Sequence, residues 1–248
     1  LIACPRGGSV YYWDYTNAST RAVALADLAG ANLAPTLGLQ VLVSDVDRHV
    51  IVLGADPIDS PGTGRTGAID PLLVAFSDQE NAAEWQPLST NTAGSLRCSA
   101  GSQIIGGLRA RQETLIWTDV ALYSLQFIGA PLTFGLTLIN EGVSLIGPNA
   151  PVNTPTGIFW MDKKGFYAYQ GAVQPVPCSV HSYVFDDFNE GQAFQVFGFL
   201  NKQFNEVGWF YCSGSSDTVD RYVTYNYVDQ TWSIGQLART AWLDEGIA

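Results

Sequence analysis

The chain has 248 residues, of which 47% are hydrophobic and only 14% charged, a balance that fills a packed core and excludes an intrinsically disordered segment. Its net charge of −11 gives a surface that repels nucleic acid and anionic membranes. That excludes a sequence-reading DNA-binding protein, though not a wall past which DNA slides.

In chain order, strand signals dominate: five to seven residues rich in β-branched and aromatic side chains, bounded by turn formers. Strands are predicted over Ser9–Tyr15, Leu39–Val43, His49–Leu53, Leu72–Phe76, Gln103–Leu108 and Thr114–Thr118. They continue over Leu122–Phe127, Gly157–Met161, Gly165–Tyr169, Glu206–Tyr211, Arg221–Tyr227 and Thr231–Ile234. The 25 Gly and 12 Pro supply the turns between them. Helical signal is thin: Ser19 is a candidate cap for Arg21–Ala29, whose Ala and Val content allows a loop equally well, and Asn189–Phe197 offers one or two turns. No run of 18 apolar residues offers a membrane-spanning helix.

A repeat runs through this series. TLIWTDVALYSLQ (Thr114–Gln126) and GIFWMDKKGFYAYQ (Gly157–Gln170) share an apolar strand, Trp-x-Asp, a turn and an aromatic strand. Trp117 and Trp160 lie 43 residues apart, a divergent copy surrounds Trp209 a further 49 residues on, and Trp85 and Trp13 precede them. A period of 40–50 residues with four short strands per unit is the signature of a propeller blade, because one twisted sheet buries both faces only by stacking on its neighbours. The expected fold is therefore all-β, a β-propeller of antiparallel four-stranded blades forming a single propeller-like domain over residues 1–248. The alternative is a β-sandwich, which needs no such self-similarity. In the repeat, the Trp is expected to pack between sheets and the Asp to tie the following turn.

Candidate chemistry is sparse. Gly62-Thr63-Gly64-Arg65-Thr66-Gly67 fits G-x-G-x-x-G, but it follows Asp59-Ser60-Pro61 and runs into Asp70-Pro71 and a strand, so it reads as a loop and not a pyrophosphate cradle opening a helix. His49 opens an apolar strand and reads as a hydrogen-bonded structural imidazole. His181 follows Cys178 by three residues, which on an extended strand would place the two side chains on opposite faces and deny a Cys/His pair. Asp45 with Asp47, and Asp186 with Asp187, complete no calcium loop and read as turn residues; they are also the only basis for a glycan-cleaving pair of acids. Asn17-Ala18-Ser19 matches a glycosylation acceptor without a secretory context. Cys4, Cys98, Cys178 and Cys212 lack the spacing of a zinc site and are expected as free thiols, in keeping with cytoplasmic assembly. No catalytic residue, cofactor or metal site is read. The chain opens on LIACPRGG without Met and stops after TAWLDEGIA, and is expected to be part of a longer polypeptide.

At residues 71–97, PLLVAFSDQENAAEWQPLSTNTAGSLR resembles the tail nozzle, or packaged-DNA stabilisation, proteins of short-tailed bacteriophages. So do, in order, LIACPRGGSVYYWD, DVDRHVIVLGADP, ETLIWTDVALYSLQFIG, TFGLTLI, GPNA, FWMDKKGFYAYQG, VQPVPC, YVFDDFN, FNEVGWFY, DRYVTYNY and LARTAW, so the likeness covers nearly the whole chain. The resemblance implies a non-enzymatic virion protein with a β-propeller, assembled in the host cytoplasm as a homo-oligomeric ring, six subunits in the family. The ring would sit below the portal and adaptor, retaining packaged DNA without sequence-specific contact and conducting it at ejection. Family members are longer than this chain, and no short functional motif transfers particular contact residues. The alternative function is a carbohydrate- or receptor-binding propeller at the tail tip.

Overall fold

In a computed structural model, described for residues 1–17, 19–44, 47–60 and 62–243, the strands form four successive four-stranded antiparallel sheets, each in simple meander order. Blade I comprises strands a–d at Gln40–Val43, Val50–Leu53, Leu73–Phe76 and Gly94–Arg97. Blade II runs Ile104–Arg109, Thr114–Thr118, Ala121–Gly129 and Thr133–Glu141. Blade III is Val152–Thr154, Gly157–Asp162, Gly165–Tyr169 and Val173–Val176, and blade IV is Phe197–Asn201, Glu206–Tyr211, Arg221–Asn226 and Thr231–Gln236. The chain is thus all-β and built of the antiparallel four-stranded blades expected from its repeat.

By compactness the chain divides into two units, Leu1–Gly142 and Val143–Ala248. The first holds blades I and II, a three-stranded sheet of Ile2–Ala3, Tyr11–Tyr12 and Val23–Ala24, and a two-stranded pairing of Gly8–Ser9 with Leu37–Gly38. Strand b of blade I, Val50–Leu53, is buried at every residue. Val50 and Val52 pack with Val10, Leu25 and Trp85, while Ile51 and Leu53 pack with Ile104, Ile116 and Phe134. Successive side chains of a strand point to opposite faces, so both faces of this sheet are covered. A sandwich sheet leaves one face to water; a stacked blade does not.

The second unit holds blades III and IV, joined through aromatic rings. The Phe166 ring centroid lies 4.8 Å from Trp209 and 4.6 Å from Trp232. Gly198 lets strand a of blade IV approach blade III: a Cβ there would stand 2.2 Å from Val152 Cγ2 and 2.7 Å from the Ala150 carbonyl oxygen.

Several expectations need correction. Trp85, noted for its spacing ahead of the repeat, lies in the long c–d connection of blade I, outside any strand, where its indole donates to Ala82 O at 2.8 Å. Trp117 and Trp160 are not equivalent either. In both blades a two-residue connection links strands b and c, but Trp117 is the second-last residue of its strand and Trp160 the third-last. One residue of offset reverses the face. Ile116 therefore packs toward blade I and Trp117 turns away from it. Arg21–Ala29, read as a short helix or a loop, is strand Val23–Ala24 followed by the 3-10 turn Leu25–Asp27, whereas Glu190–Gln195 forms the expected turns, with Asn189 accepting from Gly191 N at its start. The segment after Cys178 is a short helix, His181–Phe185, in place of the extended strand assumed for it.

Candidate functional site

The carboxylates at the ends of strand b have a common geometry in blades I, II and III. In blade II, Asp119 accepts from Ser102 N and Ser102 Oγ, both at 2.7 Å, tying the b–c connection to the segment that enters strand a. Asp162 of blade III accepts from Ser144 N, and also from Lys164 N at 3.1 Å in the following turn. Blade I does the same with Asp56, which accepts from Thr36 N at 3.0 Å, Leu37 N at 3.2 Å and the Thr36 hydroxyl. In blade IV the polarity is exchanged: Asp187, on the segment before strand a, accepts from Gly214 N, beyond strand b, at 3.2 Å. The expected tie to the following turn is thus only part of the role; the more general partner is the strand that opens the blade. Burial raises the Asp119 carboxyl, but its bonds from Ser102 and Gln103 outweigh this and hold it below the ordinary range.

His49 is fully buried, as expected of a structural imidazole, its ring 5.0 Å from Phe134 and 5.7 Å from Phe127. Its Nδ1 lies 2.7 Å from Asp47 Oδ2 and its Nε2 3.0 Å from Thr92 Oγ1. The arrangement imitates a nucleophile–base–acid relay, yet the Thr92 hydroxyl donates to Asp78 Oδ1 at 2.6 Å and accepts from Gln79 N at 2.9 Å. Its proton therefore points to Asp78, not to the imidazole, and the chain of bonds straps the start of strand b to the c–d connection of blade I. Asp45 lies outside the described residues.

The Gly-rich loop closes on itself. Asp59 Oδ1 accepts from the amides of Gly62, Thr63 and Gly64 at 3.1, 2.8 and 2.9 Å, so the donors a pyrophosphate would need face a carboxylate of the same loop. Those bonds, chiefly that of Gly64, hold Asp59 below its usual range. His181 Nε2 bonds the Lys164 carbonyl at 3.1 Å and its ring stacks on Phe185, while burial raises the Cys178 thiol and so disfavours thiolate. Burial pushes Cys98 up to about 12; all four cysteines are free. Asp186 ends the short helix, and Asp187 meets Arg221 Nη1 at 2.7 Å. That guanidinium also lies 5.3 Å from the Tyr183 ring centre, and beside it burial pushes the Tyr211 hydroxyl to about 12.

Two features escaped sequence reading. Asp56 has no Trp before it and meets a partner twenty residues upstream, so no local motif marks it. A cleft between blades III and IV, walled by Phe159, Tyr225 and Tyr227 and rimmed by Gln170, Gln174 and Gln230, draws its residues from strands more than fifty residues apart.

No family model matches the chain, and no curated protein matches it. Among solved structures it is similar to the crystal structure of the tricorn protease at 8% identity and a TM-score of 0.21, over 94% of this chain and 30% of that one. The chain thus spans less than a third of that structure's length, and a likeness so distant carries no argument about fold or activity.

Proposed function

We propose that this chain is a structural component of a short-tailed bacteriophage tail, a nozzle-type subunit that surrounds the DNA channel, retains packaged DNA and conducts it at ejection. The observation that carries this reading is the use made of the polar side chains. Asp56, Asp119, Asp162 and Asp187 each accept backbone amides that tie, within one blade, the end of strand b to the segment entering strand a, and His49 straps a loop. Such pins stiffen a wall against outward pressure. The ordered sequence resemblance to nozzle proteins points the same way, and the net charge of −11 suits a surface past which DNA moves without adhering.

A ring subunit also needs surface for its neighbours. Strands c and d of blade II are nine residues each against five in strand b, and their tip carries Phe127, Ile128 and Leu132, with Leu132 68% exposed. An apolar tip of this kind is the sort of surface that protein contacts cover. Electron cryomicroscopy of the virion that carries this chain tests the reading. The expected image is a symmetric collar of copies around axial DNA at the tail; a location in the capsid shell, or absence from the particle, overturns it.

A further inference from the structure

The geometry points to the cleft between blades III and IV as a binding site for a neutral glycan, one pyranose ring of which would rest against Tyr227 above the floor of Phe159 and Tyr225. Blades III and IV close tightly around Phe166, Trp209 and Trp232, but the neighbouring row across blade III is Val152, Phe159, Ala168 and Gln174. In the sealed row Phe166 pairs with Val176; here Ala168 and Gln174 hold the corresponding places, and the gap left is a cleft of about 210 Å³. This lies below the ~300–1,000 Å³ of sites for drug-sized ligands and suits a single sugar ring of a chain that runs on across the open mouth.

The cleft is built, not incidental. Phe159 and Tyr225 are 4% and 7% exposed and form its floor, with Phe159 stacked near Tyr227 at 6.1 Å and 27°. Tyr225 is backed by Trp232 at 4.7 Å, and the Trp232 indole donates to Pro177 O at 2.8 Å, fixing the outer strand of blade III beside it. Tyr227 is held in turn by its amide to Asn205 O at 3.0 Å and its hydroxyl to Asn205 Oδ1 at 3.4 Å.

The chemistry of the lining selects the ligand. None of the lining residues is charged, so neither a phosphate nor an acidic sugar finds a counter-ion. A pyranose offers an apolar C–H face for aromatic rings and a rim of hydroxyls that both donate and accept; the amides of Gln170, Gln174 and Gln230 do the same. A polyproline helix docks across protruding aromatic ridges, whereas Phe159 and Tyr225 are recessed here.

The test is titration of the full chain with cellohexaose, maltohexaose and chitohexaose, followed by tryptophan fluorescence, since Trp232 backs the floor, and by calorimetry. A proline-rich decapeptide and oligogalacturonate serve as the competing chemistries. Saturable binding of at least one neutral hexasaccharide is expected, weakened ~10-fold by Tyr227→Ala and ~5-fold by Gln174→Ala, the scale of one lost stacking face and one lost hydrogen bond. Tyr15→Ala, at an exposed tyrosine of the other unit, should leave binding unchanged. Gln174 is exposed, so its variant keeps the fold if Tyr227→Ala does not. The proposal is overturned by no neutral binding at ~10 mM, a concentration that would detect even a weak single-ring contact. Binding indifferent to both substitutions, or capture of the peptide or the acidic glycan instead, would also overturn it.

Discussion

A buried or half-buried carboxylate is stabilising only when its oxygens are occupied, and Asp119 meets that condition through three donors on Ser102 and Gln103. Replacing it by Asn removes the charge and turns one acceptor into a donor facing the Ser102 hydroxyl. At pH 7 Asp119→Asn should cost about 1–2 kcal/mol in urea unfolding, toward the low end for charge-assisted bonds because Asn keeps one acceptor oxygen. The sign with pH follows from the lowered carboxyl. The contribution is present in full above the unfolded value, near ~4, and is lost as pH falls through the lower folded value. The gap between wild type and variant should therefore close on acidification from pH 5 to pH 3; a gap that stays constant means the Ser102 bonds do not depend on charge. The Trp-x-Asp motif made Asp119 and Asp162 visible in the sequence as structural. It did not disclose their partners, because Ser102 and Ser144 lie 17 and 18 residues upstream and come near only once the blade has folded.

At the level of elements, all the central strands were legible in the sequence, and of the outer ones only Leu39–Val43, Gln103–Leu108 and Thr231–Ile234. Thr114–Thr118, Gly165–Tyr169 and Glu206–Tyr211 appear with the predicted bounds, since burial on both faces makes such strands continuously apolar. Gly94–Arg97, Thr133–Glu141, Val152–Thr154, Val173–Val176 and Phe197–Asn201 were not among the predicted strands. All are first or last strands of their sheets, and their sequences (GSLR, VNT, VQPV) carry polar residues, Gly or Pro that mask the pattern. The joint between blades is equally specific. Gly198→Ala would drive a methyl group into Val152 and the Ala150 carbonyl, which also accepts the Trp209 indole at 2.8 Å. A loss of about 1–3 kcal/mol, read as a lowered denaturant midpoint, is expected from such overpacking. Gly64→Ala, where the nearest atom is a carboxylate oxygen at 3.5 Å, should be close to neutral, and equal effects at the two sites would show that the Gly198 approach is not tight.

For the whole molecule, charge governs the encounter with DNA. With 12 basic against 23 acidic residues, the chain should show no retention of duplex DNA in a mobility-shift titration even at ~50 mM salt, where electrostatic binding is strongest. Salt-dependent retention would instead reveal a basic surface and remove the passive-wall reading. The amino-acid sequence by itself determined the class of the fold, because strand length, turn composition and a 43-residue recurrence are properties of local stretches and their spacing. It determined the acidity as well, which needs no coordinates. Only the tertiary structure decided which face each tryptophan takes, that Asp56 belongs with Asp119 and Asp162, and that Phe159, Gln174 and Tyr227 border one cleft. Facing and convergence depend on strand register, and a single residue of slip reverses them without altering the composition or the apparent period of the chain.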